Sequence, residues 1–209
     1  PVYHQVLEKK FKLKPVSFLN LGGILNRTTI RGDDELFAKD EWAGMCMIDK
    51  WIRSNSEKKY DVNGEIAKSG KVNEFILNQY LDDFYHTHSS KRSYDTNDFD
   101  ISFARGLSLQ DGAATITSIT ISIIYSLFLT NEKKNTKEKM ILCGGGRKNK
   151  FLLEKNKNFK KDVKVIDDYG VDGDFVESQA FAYLAIRSYL GLPISFPETT
   201  GCKKPSSGG

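Results

Sequence analysis

The second half of the sequence alternates between short apolar runs and longer amphipathic segments, and this alternation limits the possible folds more than any other feature. The apolar runs at 139–144 and 162–167 are predicted strands, and the segments at 149–156 and 175–192 are predicted helices. Strands that alternate with helices in this way form βαβ units, in which the strands run parallel. The sequence therefore predicts the α/β class.

The first half opens with a helix and continues with strands. Val6, Leu7 and Phe11 recur at helical spacing and predict a helix over residues 2–13, which ends before Pro15. A hairpin with its turn at Gly22 and Gly23 follows. The predicted strands of this half cover residues 16–21, 27–30 and 35–40.

The middle of the chain reads as mainly helical. A helix is predicted over 43–54, and residues 64–86 predict one short and one longer helix, broken at Ser69-Gly70. Residues 86–100 are polar and rich in turn formers, so they predict a loop.

The run at 113–129 is ambiguous between strand and helix. Its alternating Thr/Ser and Ile residues are typical of a strand, yet seventeen residues exceed an ordinary strand. Ile116, Ile119 and Ile123 form a helical stripe, and "SLQD" at 108–111 resembles a capping box. These features favour a helix. The six serine and threonine side chains within the run argue against a membrane span.

Composition excludes several classes of function. The formal net charge is +4, and the lysines are spread along the chain rather than clustered in a stripe, which argues against a nucleic-acid groove. The three cysteines, Cys46, Cys143 and Cys202, lie far apart and predict neither a zinc site nor a disulfide framework. With no signal-peptide pattern at the start, a reducing cytoplasmic location is expected.

Three consecutive glycines, Gly144–Gly146, follow the apolar run "MILC". A strand-to-helix turn with bare backbone offers N–H groups and a helix dipole to a phosphate or nucleotide. The spacing matches neither the Walker nor the Rossmann motif, so a tight turn without a ligand remains an alternative. Gly22-Gly23 is a second glycine turn, which ends a strand inside the predicted hairpin, and an ordinary β-turn is the alternative for it. Two glycine turns in one α/β chain are typical of two-lobed, actin-like phosphotransferases.

Four stretches carry a resemblance to a known family. They are "FLNLGGILN", "DGAATITSIT", "ILCGGGRKNKFLL" and "VIDDYGVDGDFVESQAFAYLAIRSYLGLPISFPETTG". In sequence and order they resemble the motifs of the anhydro-N-acetylmuramic acid kinases. The resemblance implies an α/β, actin-like ATPase-type lobe, part of a two-lobed fold. It also implies that ATP, with Mg²⁺, phosphorylates and opens 1,6-anhydro-N-acetylmuramic acid, a step in the recycling of cell-wall sugars.

The resemblance also implies roles for individual residues. Gly22 and Gly23 would lie near the phosphates. A second group would cradle the nucleoside: Gly144, Gly145, Gly146, Arg147 and Asn149. Asp40 and Glu177 would contact the amino-sugar substrate, although a solvated glutamate in the first turn of a helix is an equal alternative for Glu177. A homodimer is compatible with this assignment, and no nucleic-acid or membrane partner is expected.

Departures from the family pattern qualify these implications. The family's Gly-Thr-Ser-x-Asp-Gly phosphate loop is absent, so we expect residues 1–209 to be the C-terminal portion of a longer enzyme, with the catalytic aspartate upstream. Where the family has D-T-G-P-G-N, residues 40–45 read "DEWAGM". Trp42 replaces a glycine and is predicted to crowd any backbone approach there. The family's Lys-Ser…Arg loop is matched only in part, by Arg92, Ser93 and Asp95. Thr96 stands where an arginine is expected. A non-catalytic nucleotide- or sugar-binding lobe is the alternative function.

The remaining polar residues carry weaker signals. His86 and His88 lie in a polar loop and are interpreted as solvated rather than metal-binding. Asp167 and Asp168 end a predicted strand, where ligands of α/β proteins gather, and a turn leading into a helix explains them equally well. Cys143 is interpreted as a small buried residue. No nucleophilic Ser/His/Asp or Cys/His set is recognisable, so the catalytic residues stay unassigned.

Overall fold

The computed structural model describes residues 1–32, 35–87, 93–132, 138–159 and 163–208. Its strands are β1 (Val16–Leu21), β2 (Ile24–Ile30), β3 (Leu36–Ala43), β4 (Lys139–Cys143) and β5 (Val163–Val165). Its helices are α1 (Val2–Phe11), α2 (Cys46–Asn55), α3 (Glu65–Ser69), α4 (Glu74–Thr87), α5 (Leu109–Glu132), α6 (Lys150–Phe159), α7 (Val176–Tyr189) and α8 (Pro197–Thr200).

The five strands form one mixed sheet in the order β3-β2-β1-β4-β5. Strands β1, β2 and β3 make an antiparallel meander, whereas β4 pairs parallel with both β1 and β5. The two parallel pairs are joined through helices, as the alternation in the sequence predicts. The α/β class is confirmed, and the arrangement agrees with one lobe of an actin-like ATPase-type fold.

Helices cover both faces of the sheet. On one face, side chains of α1 and α7 pack against β1 and β4 through Leu7, Val176, Phe18 and Ile141. On the other face, Ile121 and Ile124 of α5 pack against the opposite side of the same strands. Alternate residues of each strand therefore serve different cores, as the two-residue period of a strand requires.

The ambiguous run at 113–129 is a helix, because it lies inside α5. The predicted capping box is present in part, since the backbone N–H of Asp111 donates to Ser108 Oγ at 3.1 Å. Thr115 Oγ1 donates to the Asp111 carbonyl at 2.7 Å, which satisfies that hydroxyl within the helix. Among the described residues, none of the helices combines the length and the hydropathy that a bilayer span requires.

Helices α2, α3 and α4 pack beside the sheet as a helical unit on α5. Its core contains Met47, Ile48 and Trp51 of α2 together with Ile116 and Ile119 of α5. The predicted break between the short and the longer helix is confirmed, because α3 ends at Ser69.

Several element boundaries differ from the predictions. The helix predicted from residue 43 begins at Cys46, because Ala43 pairs with Ile24 at the end of β3. The strand predicted over 162–167 is described only for Val163–Val165, and Ile166–Tyr169 forms a 3₁₀ turn. The predicted loop at 86–100 contains a 3₁₀ turn at Thr96–Asp98. Residues 88–92 and 162, which include His88 and Arg92, lie outside the described residues.

Candidate functional site

A cavity of about 480 Å³ lies at the carboxyl ends of β1 and β4, beside the antiparallel meander. This is the edge of a sheet at which α/β proteins bind ligands. Its lining includes Asn20, Asn26, Asp40, Gly144, Gly145, Arg147 and Glu177. Five residues that sequence reasoning assigned to a ligand therefore meet in one cavity: Asp40, Gly144, Gly145, Arg147 and Glu177.

Asp40 is held in the cavity by a row of hydrogen bonds that crosses three strands. The sheet register places Asn20 opposite Asn26, and Asn26 opposite Asp40. Asn26 Nδ2 donates to Asp40 Oδ1, and Asn20 Nδ2 donates to Asn26 Oδ1 at 3.4 Å. The backbone N–H of Tyr94 donates to Asp40 Oδ2 at 3.1 Å. A carboxylate offers about four lone-pair sites, so Asp40 can still accept a proton or a hydrogen bond from a ligand.

Glu177 supplies a second carboxylate to the same cavity. It lies in the first turn of α7, where the positive end of the helix dipole favours a negative charge. Its side chain is exposed and also lines the cavity. The solvated-residue interpretation and a ligand-facing position are therefore both compatible with its placement.

The three consecutive glycines have three different surroundings. Gly144 has φ 76° and ψ 175°, a conformation that is essentially restricted to glycine. A Cβ on Gly144 would lie 2.4 Å from Asn20 Oδ1, whereas a Cβ on Gly145 would meet nothing within 4 Å. Gly146 is buried, and a Cβ there would lie 2.7 Å from Leu21 Cβ. Gly145 thus presents bare backbone to open space, while its two neighbours allow close packing on β1.

Arg147 joins the glycine turn to the segment after β5. Its side chain is buried, with Nε 2.7 Å from Asp167 Oδ2 and Nη2 2.9 Å from Asp174 Oδ1. Its Nη1 donates to the Gly144 carbonyl at 3.1 Å. The hydrogen bond from Arg147 lowers the pKa of Asp167, and hydrogen bonds from Lys148 and then Arg147 lower the pKa of Asp174. Two carboxylates thus balance the guanidinium charge, and the geometry supports a role in fixing the loop.

Gly173 makes this junction possible, because a Cβ there would lie 2.1 Å from Arg147 Nε. Asp168 has a local role, since its Oδ2 accepts the Val165 backbone N–H at 3.1 Å. Of the two interpretations left open for Asp167 and Asp168, the structure therefore supports the turn that leads into a helix. Asp167 additionally holds the glycine loop through Arg147.

The hairpin glycines lie outside the lining of this cavity. The Gly22 carbonyl accepts the Met45 N–H at 2.8 Å, and the Gly23 carbonyl accepts the Gly44 N–H at 2.9 Å. Both glycines thus anchor the segment that enters α2, and their assignment to phosphates stays a prediction.

Asn149 also lies away from the cavity. It is buried, and its Oδ1 accepts the Leu152 N–H at 2.9 Å at the start of α6. Its assignment to the nucleoside stays a prediction, and so does that of Gly146, because neither lines the cavity that holds Asp40.

Sequence reasoning missed further polar residues of the cavity, among them His4, Asn20 and Asn26. The two asparagines flank the glycine pair within "FLNLGGILN", and pairing them across the predicted hairpin was the available signal. His4 stacks on Phe18 with ring centroids 4.6 Å apart, and burial lowers the pKa of its imidazole to about 3. The imidazole is therefore a neutral group at physiological pH.

Contrary to the prediction, Trp42 does not crowd the cavity. Its indole lies among Phe84, Tyr94 and Phe99 in the helical unit, outside the residues that line the cavity. Asp40 therefore keeps its exposure to the cavity despite the "DEWAGM" departure.

The described residues include no group of three or more His, Cys, Asp or Glu side chains placed to hold a metal ion. Burial raises the pKa of Cys143 to about 12 and that of Cys46 to about 11. Both thiols stay protonated at neutral pH, so neither is an activated nucleophile. The cavity therefore offers a ligand carboxylates and bare backbone rather than thiolates.

Comparison with known proteins gives a family match over the whole chain. The model of the family described as anhydro-N-acetylmuramic acid kinase matches residues 1–209. The chain is 47% identical over 218 residues to an anhydro-N-acetylmuramic acid kinase from Pelagibacter ubique, covering 100% of this chain and 58% of that protein. It is 38% identical over 214 residues to one from Rhizobium etli, covering 100% of this chain and 57% of that protein.

Among solved structures, the chain is similar to the activator of 2-hydroxyisocaproyl-CoA dehydratase from Clostridium difficile with bound ADPNP. The TM-score is 0.45 at 12% identity, covering 77% of this chain and 56% of the other.

Proposed function

Because the chain belongs to the anhydro-N-acetylmuramic acid kinase family, we propose that the protein from which it comes phosphorylates 1,6-anhydro-N-acetylmuramic acid. ATP and water are the co-substrates, and ring opening gives N-acetylmuramic acid 6-phosphate and ADP. The observation that carries this proposal is the meeting of Asp40, Glu177 and the Gly144–Gly145 backbone in one cavity.

Asp40 is the carboxylate best placed to activate water. Asn26 and the Tyr94 N–H fix its orientation, and it retains lone pairs toward the cavity. In the proposed reaction the water oxygen attacks C1 of the sugar and gives a proton to Asp40. The C1–O6 bond breaks, O6 takes the γ-phosphoryl group, and ADP leaves. In this proposal, Asp40 has the catalytic role that the sequence analysis expected of an aspartate upstream of residue 1.

Glu177 is proposed to orient the sugar. It approaches the cavity from α7, whereas Asp40 lies on β3, so the two carboxylates belong to different elements. A carboxylate accepts hydrogen bonds from sugar hydroxyl groups without having to change its charge. Holding the sugar in a reactive orientation supplies a large part of the rate enhancement in phosphoryl transfer.

The glycine turn suits a nucleotide better than Arg147 does. Gly145 is exposed and has no atom within 4 Å of its missing Cβ, so a ligand can approach the backbone closely. The charge of Arg147 is already balanced by two aspartates. Mg²⁺, when bound with ATP, would neutralise charge on the phosphates. The described part of the chain offers Mg²⁺ no cluster of ligands, so we propose that the nucleotide itself carries the ion.

The chain spans 58% of the length of the Pelagibacter relative. We propose that it is the C-terminal portion of a two-lobed enzyme whose N-terminal lobe holds the phosphate loop. Residues 1–209 alone should therefore show no turnover. The cavity keeps the carboxylates of Asp40 and Glu177, and no comparison favours the alternative of a non-catalytic lobe.

We further propose that the enzyme acts in peptidoglycan turnover in the cytoplasm.

We also propose that the enzyme forms a homodimer. An apolar face of α7 supports the dimer, because Phe181, Ile186 and Tyr189 are 66%, 59% and 91% exposed. Apolar side chains of this size favour burial at interfaces. Light scattering on the full-length protein with Tyr189→Ser, compared with the unmodified protein, tests the assembly.

The test of the activity is product identification. Full-length protein is incubated with ATP, Mg²⁺ and 1,6-anhydro-N-acetylmuramic acid, and the sugar is analysed by mass spectrometry. The proposal predicts the 6-phosphorylated, ring-opened sugar in proportion to the ADP formed. ATP consumption without that product, or no consumption, would contradict it. Residues 1–209 alone serve as the comparison for the proposed second lobe.

A further inference from the structure

An aromatic cluster surrounds the side chain two residues after Asp40, and its members lie outside the lining of the cavity. We define the Trp42 cluster as Trp42, Phe84, Tyr94 and Phe99. The indole ring lies 4.8 Å from the Phe84 ring and 5.1 Å from both the Tyr94 and the Phe99 ring, in edge-to-face arrangements. Such pairs favour one mutual orientation, so the cluster fixes the positions of its members.

The orientation of the indole is fixed from a second direction. Trp42 Nε1 donates to the Tyr80 hydroxyl at 3.1 Å, and that hydroxyl lies 3.4 Å from Met47 Sδ. Burial raises the pKa of Tyr80 to about 12, so the phenol stays neutral. The indole therefore links β3 to both α4 and α2.

The segment at residues 94–99 closes over the hairpin turn next to the cluster. Thr96 Cγ2 lies 3.0 Å from where a Cβ of Gly23 would be. Asp95 caps the short 3₁₀ turn that follows, accepting the Asn97 N–H at 2.9 Å, and Lys50 Nζ donates to the Phe99 carbonyl at 3.0 Å. The segment is thus a compact unit that needs an anchor to the sheet.

We infer that Trp42 is that anchor, and that it is a positioning residue for Asp40. The indole holds Tyr94 and Phe99 against β3, which places the Tyr94 N–H 3.1 Å from Asp40 Oδ2. Trp42 therefore acts on the carboxylate through the backbone of Tyr94, without facing the cavity itself. The large side chain in "DEWAGM" is a device for orienting Asp40. This inference rests on the proposed role of Asp40.

The test compares Trp42→Gly with Trp42→Phe in the full-length protein. Trp42→Gly removes every ring contact, so the Tyr94 amide should exchange with deuterium about tenfold faster or more, since it loses its protected position. Loss of a hydrogen bond to a charged group should lower kcat for 1,6-anhydro-N-acetylmuramic acid about tenfold or more. The KM for ATP should stay within about twofold. Trp42→Phe should restore both readouts to within about threefold of the unmodified protein.

Two further variants separate positioning from general stability. Tyr80→Phe removes the acceptor of the indole N–H but keeps the ring contacts, and it should leave Tyr94 exchange within about threefold of the unmodified protein. Tyr94→Pro removes the N–H itself and should reproduce the kcat loss even where Trp42→Gly fails to fold.

Unchanged Tyr94 exchange and unchanged kcat in a folded Trp42→Gly protein would overturn the inference. Full kcat in Tyr94→Pro would do the same. Failure of the proposed function is recognised separately, because the unmodified protein would then form no phosphorylated sugar. Exchange at Tyr94 still reports on the anchor in that case.

Discussion

Gly144 and Gly145 are neighbours in one turn, yet an added methyl group should affect them very differently. In Gly144→Ala the new Cβ would lie 2.4 Å from Asn20 Oδ1 and 2.9 Å from the carbonyl carbon of Leu21. Its φ of 76° and ψ of 175° add strain of about 1–3 kcal/mol for a non-glycine residue. Overpacking adds about 1–3 kcal/mol. We expect Gly144→Ala to lower the free energy of unfolding by about 2–6 kcal/mol.

Gly145→Ala is the matched control, because its Cβ meets nothing within 4 Å. Its free energy of unfolding should stay within about 0.5 kcal/mol of the unmodified value. The assay is urea denaturation of the full-length proteins, followed by circular dichroism, with the midpoints compared at constant slope. Equal midpoints for the two variants would refute the close approach of Gly144 to β1.

The remaining predictions concern the nucleotide and pH. Gly145→Val projects a branched side chain into the open space beside the bare backbone. It should therefore abolish ATP binding in calorimetry, while the melting temperature of the protein stays unchanged. Unaltered ATP affinity would contradict a nucleotide role for this turn. Arg147 lowers the pKa of Asp167 below its ordinary 3.8, so the stability from this pair is present above that pH and is lost as the pH falls below it. The difference in melting temperature between the unmodified protein and Asp167→Asn should therefore shrink from about pH 5 to about pH 3, and a constant difference would argue against the ion pair.

The regular elements could be predicted because their apolar periodicities are local. The stripe of α5 and the apolar run before Gly144 each identify an element from a few neighbouring residues. Boundaries were less predictable. The end of β3 depends on the pairing of Ala43 with Ile24 and on a register shift between Leu25 and Asn26, neither of which is visible in β3 itself.

The candidate site was predictable in part. The glycine turn, Asp40 and Glu177 belong to recognisable motifs, and they do line one cavity. The roles of Arg147 and Trp42 depend on distant partners. Asp167 lies 20 residues from Arg147, and Tyr94 contacts a strand that precedes it by about fifty residues. No local pattern encodes such contacts, because they arise only when the elements pack together.

The most direct test of the central claim is the rate of the Asp40→Asn variant. Asn cannot accept the proton of the attacking water, and general bases contribute about 10²–10⁴ to a rate. The account predicts that kcat for 1,6-anhydro-N-acetylmuramic acid falls by about that factor, while sugar affinity in calorimetry stays within about threefold. Asp82→Asn, which removes an exposed carboxylate on α4, should keep full turnover. A kcat for Asp40→Asn within about threefold of the unmodified enzyme would contradict the account.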